Sequence, residues 1–385
     1  MMFIPRSLST TLERRLKKSN KVVILYGARQ TGKTTLVRRL LEQLPFRSLE
    51  INADELRYVD ALSSRNLITL KRLVAGYELV FIDEAQRVPD IGINLKILHD
   101  GIPDLKIVAT GSSSFELANR ISEPLTGRTW THILYPVSVA ELERFYNPFE
   151  IQQLLDAILV FGSYPEIFSL ENDREKEQYL REISIAYLYK DILELAGIRH
   201  SQKIRDLLRL LAFQTGSEVS IQGLAIQLGM ARDTVESYID LLEKAFVIFR
   251  LPGFSKNLRK EVTKMKKIYF QDLGIRNILI DNLLPLSRRN DIGRLWENFL
   301  VVERRKALTY AGMSTNAYFW RTYTGAELDY VEERGGQLNG FEMKFQPGKG
   351  RIPRSWYDTY PQASGRIINL DNWLEFIMIQ KPSEG

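Results

Sequence analysis

The chain contains no cysteine, which excludes disulfides, thiolate metal sites and cysteine nucleophiles together. Histidine is nearly as scarce: His99, His132 and His200 are the three imidazoles present, so a zinc site is not expected. There is no run of about eighteen apolar residues, the length a membrane span needs. The opening Met1-Met2-Phe3-Ile4-Pro5-Arg6 also lacks the apolar stretch of an export signal. These absences lead to the expectation of a soluble, cytoplasmic protein with no membrane partner. What is present is ordinary in kind: 385 residues with 44% apolar content can bury a sizeable core and should divide into two or three domains. Lys plus Arg exceeds Asp plus Glu by 53 to 47. A net charge of +6 favours a polyanionic partner only where the excess clusters.

From residue 21 strand-like apolar runs alternate with helical periods, the pattern of a parallel sheet covered on both faces. Strands are expected at 22–26, 46–51, 78–82, 105–109 and about 130–134, with helices near 33–44, 64–74 and 92–100. After Tyr135-Pro136-Val137 the sheet pattern stops. Residues 138–213 read as helices broken at Asn147-Pro148, at Gly162 to Pro165 and at Gly197. Ser220 can cap a short helix to Leu228, and a second helix runs from Arg232 to Ala245. Strands at 246–251 and 267–270 would then form a wing. A helix at 295–308 and strands near 316–321, 327–332 and 338–345 mark a further domain.

Directly after the strand Val22 to Tyr26 stands Gly27-Ala28-Arg29-Gln30-Thr31-Gly32-Lys33-Thr34, and a helix opens at Lys33. Strand, glycine-rich turn and helix are together the context a phosphate-binding loop requires. Gly27 and Gly32 permit backbone conformations that turn consecutive N–H groups inward, while the helix N-terminus favours the negative charge they enclose. In this reading Lys33 reaches the β and γ oxygens of a nucleotide, Thr34 holds Mg²⁺ through its hydroxyl, and Thr35 continues the loop into the helix. The apolar run Leu79 to Ile82 ends in Asp83-Glu84. Asp83 would position the Mg²⁺ and Glu84 would polarise the attacking water. In sequence one strand, 46–51, separates the loop from this acid pair, the arrangement of the ATPase branch that carries a catalytic glutamate. Ala109-Thr110-Gly111-Ser112-Ser113-Ser114 ends the next strand, and reads either as a sensor of the γ-phosphate or as a plain Ser-rich turn.

These stretches, with Phe81-Ile82-Asp83-Glu84-Ala85-Gln86, Leu125-Thr126-Gly127-Arg128, Pro136-Val137-Ser138 and Gly162-Ser163-Tyr164-Pro165-Glu166, resemble a prokaryotic family of AAA-type ATPases fused to a domain of unknown function. The resemblance covers most of the chain. It implies an adenine nucleotide, a winged helix after the ATPase, and an arginine finger at Arg128, with Arg120 as the alternative. Either arginine could instead be structural, and a homo-oligomer stays open.

The second helix of the winged segment carries Asp233, Glu236, Asp240 and Glu243 against Arg232 and Lys244, which argues against a phosphate-lined groove unless the acids face away. The wing reads the other way, with Lys256, Arg259, Lys260, Lys264, Lys266 and Lys267 against Glu261. Contact with a DNA backbone and a solvated hairpin are equal readings of it. In Glu327-Leu328-Asp329-Tyr330-Val331 and Gly340-Phe341-Glu342-Met343-Lys344-Phe345 strand alternation puts Glu342 and Lys344 on one face, with Asp329 opposite. Adding Glu297 gives three carboxylates and a lysine, a set suited to metal-dependent phosphodiester cleavage: Asp329 and Glu342 binding Mg²⁺, Glu297 assisting, Lys344 orienting the water. This segment resembles the restriction-endonuclease-like fold.

The expected fold class is α/β: a P-loop NTPase parallel sheet at 1–137, a helical lid at 138–213, a winged helix-turn-helix at 214–284, and a C-terminal α/β restriction-endonuclease-like domain at 285–385. The expected function is an ATP-binding and ATP-hydrolysing switch whose nuclease-like domain contacts or cleaves DNA. The alternatives are a nucleotide-gated DNA- or protein-binding scaffold with an inert C-terminal domain, and a helicase-like oligomer.

Overall fold

A computed structural model describes residues 4–111, 125–184, 201–255 and 266–379. Their contacts separate two units, one running to Pro136 and taking in Lys244–Phe246, the other formed by Val137–Glu243 and Val247 onward.

The first unit is a parallel sheet between helices. Helix α1 (Leu8–Lys18) precedes β1 (Val22–Tyr26), α2 (Lys33–Gln43), β2 (Ser48–Asn52), α3 (Leu56–Leu62), α4 (Leu67–Leu73), β3 (Leu79–Asp83), α5 (Ile91–Gly101), β4 (Lys106–Gly111) and β5 (Thr129–Ile133). The strand order is β2-β3-β4-β1-β5, and every pairing is parallel. Burial follows that order. All five residues of β1 are buried, while the edge strands β2 and β5 are only partly so. Val22, Ile24, Ile51, Val80, Ile82, Ile107 and Ala109 pack with Leu95 and Leu98 of α5 in one apolar core.

The helix expected at 64–74 is α4, which starts at Leu67 because the Asn66 side chain accepts the N–H groups of Ile68 and Thr69, while α3 before it was not anticipated. In sequence β2 stands between β1 and β3; in the sheet β4 stands between them, while β2 lies at the far edge beside β3.

In the second unit, capping boxes at Ser138–Glu141 and Asn147–Glu150 start two helices, the latter being Pro148–Phe161 with its proline in the first turn. The Asn147-Pro148 break is thus a helix start. At the end of that helix Gly162 takes φ 75°, and a Cβ there would lie 2.1 Å from Asp272 Oδ1. The close approach lets Asp272 accept the Ser163 N–H at 2.7 Å.

Two helices, Ile221–Leu228 capped by Ser220 and Arg232–Lys244, accompany a three-stranded antiparallel sheet of β6 (Glu218–Val219), β8 (Lys266–Phe270) and β7 (Ile248–Pro252). Asp240 and Glu243 turn toward this sheet and pair with Arg250 at 2.6 and 2.5 Å. Two of that helix's four acids are therefore already paired with the single guanidinium of Arg250 on β7. The stretch 256–265 of the expected wing, with Lys256, Arg259, Lys260, Glu261 and Lys264, lies outside the described residues.

Beyond the long helix Ile292–Tyr310, β9 (Asn316–Arg321), β10 (Glu327–Arg334) and β11 (Gln337–Met343) form an antiparallel meander. β12 (Ser364–Ile368) joins β11 in parallel. Gly335 and Gly336, both with positive φ, make the two-residue hairpin turn that pairs Arg334 with Gln337. The Phe254 N–H donates to the Phe319 carbonyl at 2.7 Å, so the chain leaving β7 runs beside β9.

Candidate functional site

The phosphate loop follows β1 because a buried apolar strand must turn sharply to enter α2. Gly27 is buried, and a Cβ on it would lie 2.2 Å from the Leu134 carbonyl oxygen, so no side chain fits. Gln30 and Gly32 both have positive φ, at 60° and 92°, and they curl the loop around its own interior. Arg29 is half-buried there, Gln30 and Thr35 are exposed, and Ala28 is buried. The Thr31 hydroxyl braces the curl by donating to the Ala28 carbonyl at 2.9 Å. Lys33 is buried, and its ammonium donates to the carbonyls of Gly27 and Ala28 at 3.0 and 2.9 Å. Burial pushes it down to about 8, against the opposing pull of Glu84 and Asp83.

β3 brings the acid pair to the same edge of the sheet. The Thr34 hydroxyl donates to Asp83 Oδ2 at 2.8 Å, and the Thr110 hydroxyl donates to the other oxygen, Oδ1. Asp83 is thereby fixed from the first turn of α2 and from the end of β4, and Thr110 acts on the carboxylate. Thr34 and Asp83 supply hard oxygen donors side by side, the chemistry Mg²⁺ takes together with phosphate oxygens and water. Glu84 adopts φ 53° at the start of a short 3₁₀ turn, and the Gln86 amide donates to its Oε2. A carboxylate in that strained backbone is held at the strand end by its neighbour two residues on.

Arg128 is not part of this assembly. It immediately precedes β5, its carbonyl accepts the N–H of Val22 at the start of β1, and its guanidinium pairs with Asp100 at 2.9 Å. The phosphate loop leaves the opposite end of the five-residue strand β1, about 15 Å away. Arg128 therefore lies far from the loop of its own chain. Arg120 and Ser112 to Ser114 lie outside the described residues. One participant was not anticipated: Arg6, buried before α1, donates to the carbonyls of Thr31 and Tyr135 and ties the loop to the chain after β5. Only an isolated Arg after Pro5 marks it in the sequence.

The C-terminal carboxylates also come together, with unforeseen company. Lys344 Nζ lies 2.5 Å from Glu342 Oε1 and 3.9 Å from Asp329 Oδ2. One extra residue on β10 between Leu328 and Val331 bulges the strand at Asp329, whose Oδ2 accepts the Met343 N–H at 2.8 Å. Lys267 of β8 is only 2% exposed, and its Nζ lies 3.0 Å from Glu297 Oε1, 2.6 Å from Glu327 Oε1 and 3.7 Å from Asp329 Oδ1. Tyr269 donates to the same Glu297 oxygen at 2.6 Å. Burial, aided by the Asp329 charge and opposed by Lys267, pushes Glu297 up to about 7. Burial likewise raises Glu342. Among the described residues no group of three or more His, Asp or Glu side chains is placed to hold a metal ion. None of their helices is long and apolar enough to cross a membrane.

A family described as an AAA domain matches residues 19–143, and two domains of unknown function match residues 152–286 (DUF8612) and 292–370 (DUF4143). The uncharacterized protein Rv2008c of Mycobacterium tuberculosis is 30% identical over 348 residues, 89% of this chain and 74% of the relative. Mb2031c of Mycobacterium bovis matches to the same extent. The uncharacterized protein MJ1544 of Methanocaldococcus jannaschii is 27% identical over 307 residues, 74% of this chain and 67% of the relative. Among solved structures, a Walker-type ATPase of Pyrococcus abyssi aligns with a TM-score of 0.49 at 17% identity, over 72% of this chain and 96% of that one.

Proposed function

This chain belongs to the family of the mycobacterial proteins Rv2008c and Mb2031c, with an AAA-type P-loop domain at its head, and from that premise we propose that it is an Mg²⁺-dependent ATPase whose nucleotide state switches its second unit. The observation that carries the reading is the meeting of Lys33, Thr34, Asp83 and Glu84 at one edge of a parallel sheet. The loop N–H groups and the α2 N-terminus would bind the phosphates, and Lys33 would exchange its carbonyl partners for the β and γ oxygens. Thr34 and Asp83 would hold Mg²⁺, which neutralises charge on the phosphates. Glu84, steadied by Gln86, would orient the attacking water and take its proton. Phosphate release measured for the wild type and for Glu84→Gln, with nucleotide binding followed in parallel, tests this directly. Equal turnover by both proteins removes Glu84 from the chemistry.

In the second unit the helix pair and three-stranded sheet are read as a winged helix, and the long helix with its four strands as a restriction-endonuclease-like domain, with DNA as the partner. Arg250 supports this indirectly, because it draws Asp240 and Glu243 away from any groove the helix could face. A second reading, in which the C-terminal domain binds without cutting and serves as a nucleotide-gated scaffold, is favoured by the lysine inside the carboxylate set.

A further inference from the structure

Phosphodiester cleavage by two carboxylates and a lysine needs a divalent cation bound by carboxylate oxygens at about 2.0–2.1 Å. Around Asp329 those oxygens are already committed. Oδ2 accepts the Met343 N–H, and Oδ1 faces the Lys267 ammonium. Glu297 and Glu327 each give an oxygen to that same ammonium, while Lys344 takes Glu342 Oε1. Lys267 is anchored beside the cluster. Its backbone lies in the central strand of the three-stranded sheet, paired with Glu218 on one side and Leu251 on the other. The Phe319 ring closes over its ammonium at 5.5 Å. Withdrawing it would leave three carboxylates facing one another in a poorly hydrated place, which buried charge tolerates badly.

We propose that Lys267 is the resident cation of this site and that its ammonium excludes divalent metal from Asp329, so that the carboxylate set clamps β8 onto β10 and the long helix instead of cutting DNA. The inference rests on the scaffold reading of the C-terminal domain and deepens it. It is independent of the ATPase chemistry. A metal about 2.1 Å from Asp329 Oδ1 would lie within about 6 Å of a buried positive charge, since that oxygen is 3.7 Å from Lys267 Nζ, and at that range two cations repel strongly at the effective dielectric of a protein interior.

The test uses the full chain without nucleotide and follows Tb³⁺ luminescence sensitised by the protein's aromatic residues. Wild type and Asp329→Asn should give the same emission, because any Tb³⁺ they bind lies elsewhere, the phosphate loop included. Lys267→Met should gain a site at least about tenfold tighter. Lys267→Met with Asp329→Asn should lose it, and Lys267→Arg should behave as wild type. Wild-type emission that Asp329→Asn removes would overturn the proposal, as would a Lys267→Met protein that binds no more tightly than wild type. Should Lys267→Met not fold, the comparison of wild type with Asp329→Asn still decides, since the amide introduced by that substitution keeps an oxygen to accept the Met343 N–H. An ATPase active in every variant leaves this result standing alone, and one absent from all leaves it equally untouched.

Discussion

Lys33 offers a measurement that reads the phosphate loop without any turnover. With loop carbonyls as its hydrogen-bond partners, and burial outweighing the attraction of Glu84 and Asp83, its ammonium titrates at about 8. Nucleotide phosphates placed against it supply the missing anions and raise that value toward or above the ordinary lysine range near 10.4. A group whose pKa rises on binding takes up a proton as the ligand binds, so affinity is full below the free-state value and falls as pH rises through it. Uptake on binding ATP with Mg²⁺ should be about 0.1 proton at pH 7, about 0.5 at pH 8 and about 0.9 at pH 9. Affinity should correspondingly drop about tenfold between pH 7 and pH 9. Titration calorimetry in two buffers of different ionisation enthalpy measures the uptake, and the binding isotherms give the affinity. Lys33→Arg, whose guanidinium stays charged, should abolish the uptake even where it weakens binding. A flat affinity between pH 7 and pH 9 with no proton uptake would refute the argument that Lys33 is buried against the phosphate position.

Glu84→Gln should retain nucleotide binding and lose about 10²-fold or more in turnover, as expected for a positioned general base, measured by phosphate release beside binding of a fluorescent nucleotide. Arg128→Ala should leave ATP affinity within about twofold, because its ion pair with Asp100 lies at the far end of β1. A tenfold loss in binding would contradict that placement, and a turnover loss confined to high protein concentration would show action on a second copy of the chain. Gly162→Ala combines a φ of 75° with a Cβ 2.1 Å from Asp272 Oδ1, and should cost at least about 2 kcal/mol. Urea unfolding of the full chain checks it, and an unchanged midpoint would mean the close approach of Gly162 to Asp272 is not maintained.

The phosphate site was legible because its demands are local. A strand, two glycines and a helix start occupy consecutive residues, and the backbone that results is dictated by sterics at Gly27 and Gly32. The strands β1, β3 and β4 were legible for the same reason, since a strand covered on both faces must be apolar throughout. Strand order was not, because nothing in Lys106–Gly111 distinguishes a strand lying between β1 and β3 from one at an edge. Nor was α3, Leu56–Leu62, of whose seven residues only Leu62 is buried, so that it shows no apolar face to read.

The C-terminal set shows where counting along the chain fails. By position Lys267 falls with Lys256, Arg259, Lys260, Lys264 and Lys266 in one basic loop, and that count carries the DNA reading of the wing. Alternation in β8 separates neighbours: Lys267 points inward to Glu297, Glu327 and Asp329, and is 2% exposed, while Lys266 stays half-buried. One charge counted toward DNA is therefore spent inside the protein. Two of the three carboxylates counted around a metal site, Glu297 and Asp329, likewise already share that ammonium with Glu327. Both observations follow from one contact between residues 62 positions apart, brought about when the chain leaving β7 runs beside β9 at Phe254 and Phe319. Charge on a strand can be assigned to solvent, substrate or core only after the neighbouring strand is known.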